Sequence, residues 1–171
     1  MRDAASESIF GRMNRSSRPY RVLVVCTGNT CRSPMAEALL RRLFVRAGVE
    51  AEVISAGTAA VTGGPAHPHS LQTAAARGLD LSSHVARPLS EELLAWADTV
   101  LAMQPSHARI VRDLDSTVDV HVVTEFLPEG SPDGVLDPIG WDREIYEEVF
   151  DELREALEAF VETRSDSSVH R

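Results

Sequence analysis

The stretch VLVVCTGNTCRSP, residues 22–34, decides how this chain folds. Its first four residues are valine or leucine, which is typical of a strand buried on both faces of a parallel sheet. The run stops at Cys26 and passes through a Gly-Asn pair, two residue types that tolerate a positive φ. Ser33 is a favourable helix N-cap and Pro34 suits the first helical position, so we predict a strand, a tight loop and a helix.

Strands and helices are predicted to alternate along the rest of the chain. Helices are predicted from the helical spacing of apolar residues, and the last and longest of them covers 141–163. This alternation predicts an α/β fold, a single-domain doubly wound sheet of about four parallel strands with helices on both faces. The predicted strands cover 21–25, 51–55, 99–103 and 118–123.

The two ends of the chain are poor in apolar sequence. We predict a disordered N-terminal extension over 1–19, one domain over 20–163 and a disordered tail over 164–171. No apolar run resembles a secretory signal or reaches the length of a membrane span, so no membrane association is expected. With two cysteines in the chain, a secreted disulfide scaffold is disfavoured and the reducing cytoplasm is the expected compartment.

The basic residues limit the possible functions. All 17 of them are arginine, which excludes a Schiff-base lysine and the lysine of a nucleotide-binding P-loop. The net charge of −9 argues against nonspecific binding of nucleic acid. Residues 21–46 nevertheless hold five arginines and one acid, so this segment can attract a small anion.

The loop after the first strand has the groups that an oxyanion site needs. In doubly wound sheets ligands bind beyond the carboxyl ends of the strands, and Cys26 lies at such an end. The N–H groups and dipole at the start of the next helix favour an anion, and Arg32 can donate two hydrogen bonds to it. Because the same groups stabilise a thiolate, the loop predicts a cysteine nucleophile that attacks phosphorus.

This Cys-x5-Arg-Ser loop resembles that of the low-molecular-weight protein tyrosine phosphatase family. The resemblance covers about residues 20–163 and includes further motifs in the same order. It implies a hydrolase that acts on phosphorylated protein side chains, as a monomer or weak dimer, without a metal or cofactor. The additional motifs are SAGT at 55–58, GLDLSSHVARPL at 78–89, ADTVLAM at 97–103 and LDP at 136–138.

The resemblance also implies a role for each residue of the site. Cys26 would be the nucleophile that forms a phosphocysteine, and Arg32 would bind the phosphoryl oxygens together with the loop amides. Asp137 would be the general acid, and as a residue before proline it is held in an extended conformation. The remaining phosphate-binding positions are Thr27, Gly28, Asn29, Thr30, Cys31 and Ser33; of these, Asn29 would shape the loop and Ser33 would hydrogen-bond the Cys26 sulfur.

Two positions bear on which phosphorylated residue is the substrate. The tyrosine-specific pattern usually has an aliphatic residue at the position of Thr30 and aromatic residues directly after Asp-Pro, whereas this chain has DPIGW at 137–141. The form CTGNTCRSP resembles the protein arginine phosphatase branch of the family. Trp141 is then a candidate wall of the substrate pocket. These positions favour phosphoarginine over phosphotyrosine, and both stay open.

Other interpretations of the same residues remain. A non-catalytic module that binds phosphate or senses redox state would keep the loop but would not need Asp137. An arsenate reductase on this fold would use a relay of further cysteines, and this chain has only Cys26 and Cys31. Cys31 either packs under the loop or forms a reversible disulfide with Cys26 that protects the nucleophile. No zinc site is expected, because two further ligands at suitable spacing are not evident.

Overall fold

A computed structural model describes residues 18–169 of the chain. The first 17 residues of the predicted extension, and residues 170–171, lie outside the described residues. In the part that is described, no helix is both long enough and apolar enough to cross a membrane.

The centre of the fold is a sheet of four parallel strands in the order β2-β1-β3-β4. This arrangement confirms the predicted α/β class and the strand count. The register places Cys26, the last residue of β1, beside Gly57, the last residue of β2. The strands are β1 (Tyr20–Cys26), β2 (Ala51–Gly57), β3 (Thr99–Ala102) and β4 (Val120–Val122).

Helices cover both faces of the sheet, as the doubly wound prediction requires. Alternate residues of β1 point to opposite faces. Val22 and Val24 belong to a core with α1, α2 and α5, whereas Leu23 and Val25 belong to a core with α3 and α4. The helices are α1 (Arg32–Ala47), α2 (Pro68–Ala75), α3 (Glu91–Trp96), α4 (Pro105–Leu114) and α5 (Arg143–Val169), with a short 3₁₀ helix at Val123–Phe126.

The last helix continues past its predicted end at residue 163. It is helical to Val169, so most of the segment 164–171 that was predicted to be a disordered tail is part of α5. The guanidinium of Arg164 lies 5.6 Å from the ring centroid of Tyr20 and 5.1 Å from that of Phe160. The contact with Tyr20 joins this part of the helix to β1, and the polar composition of the segment did not indicate it.

Candidate active site

Cys26 lies at the carboxyl end of β1, the edge where the topology predicts a ligand. Its side chain is 2% exposed. The Sγ atom is 2.9 Å from the Ser33 hydroxyl and accepts a hydrogen bond of 3.3 Å from the backbone N–H of Asn29. Because the Ser33 oxygen already accepts from the Asn29 side-chain amide, its O–H proton is free to donate to the sulfur, so two donors are placed around the Sγ atom.

The helix after the loop begins earlier than predicted. Helix α1 starts at Arg32 with Cys31 as its N-cap, and no side chain caps it. Ser33, predicted as the N-cap, is the second helical residue, and its hydroxyl contacts Cys26 and Asn29 instead. Within residues 18–169 no side chain caps these N–H groups at the helix start, which leaves them free for a ligand.

Asn29 holds the loop in its tight curve. It is fully buried and has a φ of +55°, and among residues 18–169 it is the only non-glycine residue with a positive φ. Its side-chain amide donates to the hydroxyls of Ser33 (2.8 Å) and Ser55 (2.9 Å). Its side-chain oxygen accepts from the N–H of Arg87 at 2.9 Å, and its backbone carbonyl accepts from His84 Nε2 at 2.7 Å. These bonds offset the cost of the left-handed backbone and fix the loop.

The end of β2 supports the same loop from below. Thr58 N–H donates to the Cys26 carbonyl and Ala59 N–H donates to the Thr27 carbonyl, each at 2.9 Å. A Cβ added at Gly57 would overlap the Thr27 carbonyl oxygen and lie 2.9 Å from the Asn29 nitrogen. Residue 57 must therefore be glycine for the loop to approach this closely.

Arg32 is the buried cation of the site. Its side chain is 2% exposed, its Nη1 donates to the Val135 carbonyl at 3.0 Å, and its Nη2 is 3.4 Å from the Asp137 carboxylate. Its Nε is buried and has no hydrogen-bond partner among the described residues. A buried donor without a partner is rare in proteins, and an oxyanion in the pocket would satisfy it.

Asp137 faces the nucleophile loop from a separate segment of the chain. Its side chain is 40% exposed, and its Oδ1 accepts from the Ile139 N–H at 3.2 Å. The Arg32 ion pair holds the other carboxylate oxygen over the pocket. The structure therefore brings the predicted nucleophile, cation and acid together.

These groups line one pocket of about 220 Å³. Trp141, the predicted wall, is not among the lining residues; it follows Gly140, whose φ of +84° turns the chain, and its side chain is 59% exposed. Ile139 lines the pocket in its place. The lining residues are Cys26, Thr27, Gly28, Thr30, Cys31, Arg32, Asp137 and Ile139.

Cys31 lines the pocket and also contacts α5. It is 5% exposed, and its sulfur lies 3.4 Å from the Tyr146 hydroxyl on α5. Burial raises the pKa of both the Cys31 thiol and the Tyr146 hydroxyl. Both cysteine thiols are free in this structure.

Several residues of the site have roles that the sequence analysis did not assign. Ser55 and Gly57 belong to the quoted SAGT motif, and His84 belongs to GLDLSSHVARPL, so their motifs were the available signal. His107 gave no signal: its Nε2 lies 2.8 Å from the Thr27 hydroxyl, 80 positions away in the sequence. Among residues 18–169, no three His, Cys, Asp or Glu side chains are grouped to hold a metal ion.

Comparison with known proteins gives consistent matches along most of the chain. Residues 21–169 match the model of the family described as low molecular weight phosphotyrosine protein phosphatase. The protein-arginine-phosphatase of Bacillus subtilis (strain 168) is 43% identical over 138 residues, which cover 80% of this chain and 91% of that protein. A probable low molecular weight protein-tyrosine-phosphatase, EpsP of Ralstonia nicotianae, is 35% identical over 140 residues, which cover 82% of this chain and 92% of that protein.

A solved structure adds a chemical observation. It is a mutant of the YwlE arginine phosphatase in which the active-site serine is phosphorylated. It superposes on this chain with a TM-score of 0.78 at 39% identity, covering 84% of this chain and 94% of that one. In that protein a phosphoryl group is therefore bonded to an active-site side chain.

Proposed function

Since this chain belongs to the low molecular weight phosphotyrosine protein phosphatase family, we propose that it removes phosphoryl groups from protein side chains through a phosphocysteine on Cys26. The observation that carries this proposal is the pocket that Cys26, Arg32 and Asp137 line together, with the Arg32 Nε buried and without a partner among the described residues. The phosphorylated serine in the related arginine phosphatase supports a covalent phosphoenzyme.

The reaction needs two steps, and this chain has a residue for each. In the first, the Cys26 thiolate attacks phosphorus and an S–P bond forms. The bond from phosphorus to the leaving oxygen or nitrogen breaks, and Asp137 gives that atom a proton. In the second, water attacks phosphorus while Asp137 takes its proton, and the S–P bond breaks to release inorganic phosphate and the thiolate.

Three kinds of hydrogen-bond donor stabilise the charges that these steps create. The Arg32 Nε and the free N–H groups at the start of α1 bind the phosphoryl oxygens as negative charge develops on them. The Ser33 hydroxyl, 2.9 Å from the Cys26 sulfur, donates to the thiolate as it leaves phosphorus. All of these groups come from one chain, which supports the prediction that a monomer, or a weak dimer, is active.

We propose phosphoarginine as the preferred substrate. Thr30 lines the pocket, and its hydroxyl lies 3.8 Å from the Cys31 sulfur. A guanidinium or a water molecule can replace this weak contact, whereas a larger aliphatic side chain at this position would favour a flat phenyl ring. The exposed Asp137 carboxylate can pair with the same guanidinium. The relative from Bacillus subtilis supports this substrate, and EpsP makes phosphotyrosine the second candidate.

The test compares phosphoarginine and phosphotyrosine peptides of one sequence with the wild-type protein and two Thr30 variants. We expect the wild type to prefer phosphoarginine. Thr30→Val keeps the shape and removes the hydroxyl, and Thr30→Ile adds bulk; both should move the ratio of the two kcat/KM values toward phosphotyrosine, by about 10-fold.

The control for this test is Thr30→Ser, which keeps the hydroxyl and should keep the wild-type ratio. A wild type that prefers phosphotyrosine, or a ratio that Thr30→Val and Thr30→Ile leave unchanged, would contradict the assignment. Hydrolysis of p-nitrophenyl phosphate by all four proteins reports whether each variant is still a competent phosphatase.

We also propose that the protein works in the cytoplasm. The nucleophile must be a free thiol, and a reducing compartment keeps it so. Localisation of the tagged full-length chain by microscopy and cell fractionation tests this proposal, and recovery from an exported fraction would contradict it.

A further inference from the structure

His107 contacts a residue of the pocket and has no role in the reaction described above. It lies in the first turn of α4 (Pro105–Leu114) and is 3% exposed. Its Nε2 is 2.8 Å from the Oγ1 of Thr27, the residue that follows the nucleophile and lines the pocket. A helix on the far face of the sheet thus reaches the active site through one hydrogen bond.

The imidazole of His107 is neutral at neutral pH. Burial, followed by the positive charge of Arg32, lowers its pKa to about 4, and the Asp137 carboxylate only partly opposes them. Its Nδ1 is buried and has no partner within residues 18–169. Because a buried N–H without a partner is rarer than an unpaired acceptor, we assign the proton to Nε2. His107 therefore donates to Thr27 Oγ1.

This tautomer determines what the Thr27 hydroxyl can do. With its oxygen occupied as an acceptor, the O–H proton of Thr27 is free to donate, and no described residue accepts it. The Thr27 backbone is held separately, because its carbonyl accepts from Ala59 N–H at 2.9 Å. Thr27 lines the same pocket as Cys26 and Arg32, and its hydroxyl is held in position by His107.

We propose that the Thr27 hydroxyl donates a hydrogen bond to the phosphoryl group over Cys26 and that His107 is the residue that positions it. The inference deepens the proposed function, since it assigns another ligand to the same phosphoryl group. Phosphotyrosine and phosphoarginine present the same PO₃ oxygens, so the Thr27 contact serves both substrates equally. The contact proposed for Thr30, by comparison, distinguishes between them.

The test is a double-mutant cycle with inorganic phosphate as the probe. The inhibition constant of phosphate against p-nitrophenyl phosphate is measured for Thr27→Val, His107→Phe and the double variant. We expect Thr27→Val to raise this constant about 10-fold, because a hydrogen bond to a charged group is lost. His107→Phe should raise it by a similar factor alone and by less than about twofold on top of Thr27→Val, because the two residues act as a unit.

The controls separate this role from a structural one. Thr27→Ser keeps the hydroxyl and should restore the phosphate constant, whereas Ser106→Ala, an exposed neighbour on α4, should change nothing. An unchanged constant in Thr27→Val, or equal effects of His107→Phe with and without the Thr27 hydroxyl, would overturn the proposal. If His107→Phe does not fold, the Thr27→Val and Thr27→Ser pair decides whether the hydroxyl is a ligand, and His107→Asn replaces it in the cycle.

The same measurements distinguish failure of this inference from failure of the proposed function. If the wild-type protein hydrolyses no phosphomonoester or phosphoramidate, the proposed function is wrong. Calorimetric titration of wild type and Thr27→Val with phosphate would then still measure the contribution of the hydroxyl to anion binding. Normal hydrolysis with no effect of Thr27→Val would contradict this inference alone.

Discussion

The two segments that form the pocket are held by different means. The nucleophile loop, residues 26–33, is mostly buried. Asn29 alone forms hydrogen bonds with four other residues, which are Ser33, Ser55, His84 and Arg87. The acid segment, residues 135–141, is largely exposed, and Asp137 is held by an ion pair with Arg32 and a bond from the Ile139 N–H. The structure therefore fixes the end of the pocket that binds phosphate and leaves the end that meets the leaving group open.

This difference agrees with what each segment has to bind. The phosphoryl group is the same in every substrate, so donors fixed in advance stabilise it without reorganisation during the reaction. The leaving group varies with the substrate protein and carries the rest of that protein into solvent. An exposed carboxylate can reach such a group, and few contacts restrain it.

The largest effect should come from removing the nucleophile. Cys26→Ser replaces the sulfur with a much weaker nucleophile and should lower kcat for p-nitrophenyl phosphate by about 10⁴-fold or more. Because the surrounding donors are untouched, the variant should still bind phosphate, measured by calorimetry, within a few-fold of wild type. Residual turnover above one per cent would mean that the rigid loop does not supply the nucleophile.

Removing the acid should have a smaller effect. Asp137→Asn keeps the size of the side chain but cannot donate a proton to the leaving group, so kcat should fall about 100-fold. The loss should be larger for phenyl phosphate than for p-nitrophenyl phosphate, because the poorer leaving group needs the proton more. Equal losses for both substrates would show that the exposed segment contributes charge and not a proton.

The features that could be predicted from the sequence are those formed by residues close together in the chain. The strand, the loop and Arg32 lie within a dozen consecutive residues, so their chemistry could be predicted directly from VLVVCTGNTCRSP. The alternation of strands and helices likewise predicted the sheet, because each element has its own apolar pattern. The partners of Asn29 and Thr27 could not be predicted in this way, since only tertiary packing brings His84 and His107 to the loop.

The start of α1 and the end of α5 show a second reason why the structure differs from the sequence-based prediction. Ser33 has the residue type of an N-cap, but the buried sulfur competes for its hydroxyl. Residues after 163 have the composition of a tail, but Arg164 packs on aromatic rings. Local propensity is a weak prior, and in both places contacts from elsewhere in the fold outweigh it.

The support beneath the loop can be tested through the free energy of unfolding. Gly57→Ala would force its Cβ against Thr27 and Asn29 and should lower that free energy by about 1–3 kcal/mol, with a rise in the phosphate inhibition constant. Gly64→Ala is the matched control, because its Cβ would meet nothing closer than 3.7 Å. Urea denaturation measures both variants, and equal stabilities would contradict the rigid support assigned to Gly57.

The smallest effects are expected at the open end of the pocket, where Ile139 and Trp141 form a matched pair. Both side chains are 59% exposed, but only Ile139 lines the pocket. Ile139→Ala should lower kcat/KM for a phosphopeptide about threefold, because a partly exposed apolar contact with the leaving group is lost. Trp141→Ala should change it by less than about twofold, as expected for a surface substitution. A larger loss at Trp141 than at Ile139 would mean that the acid segment closes over bound substrate and brings the indole into contact with it.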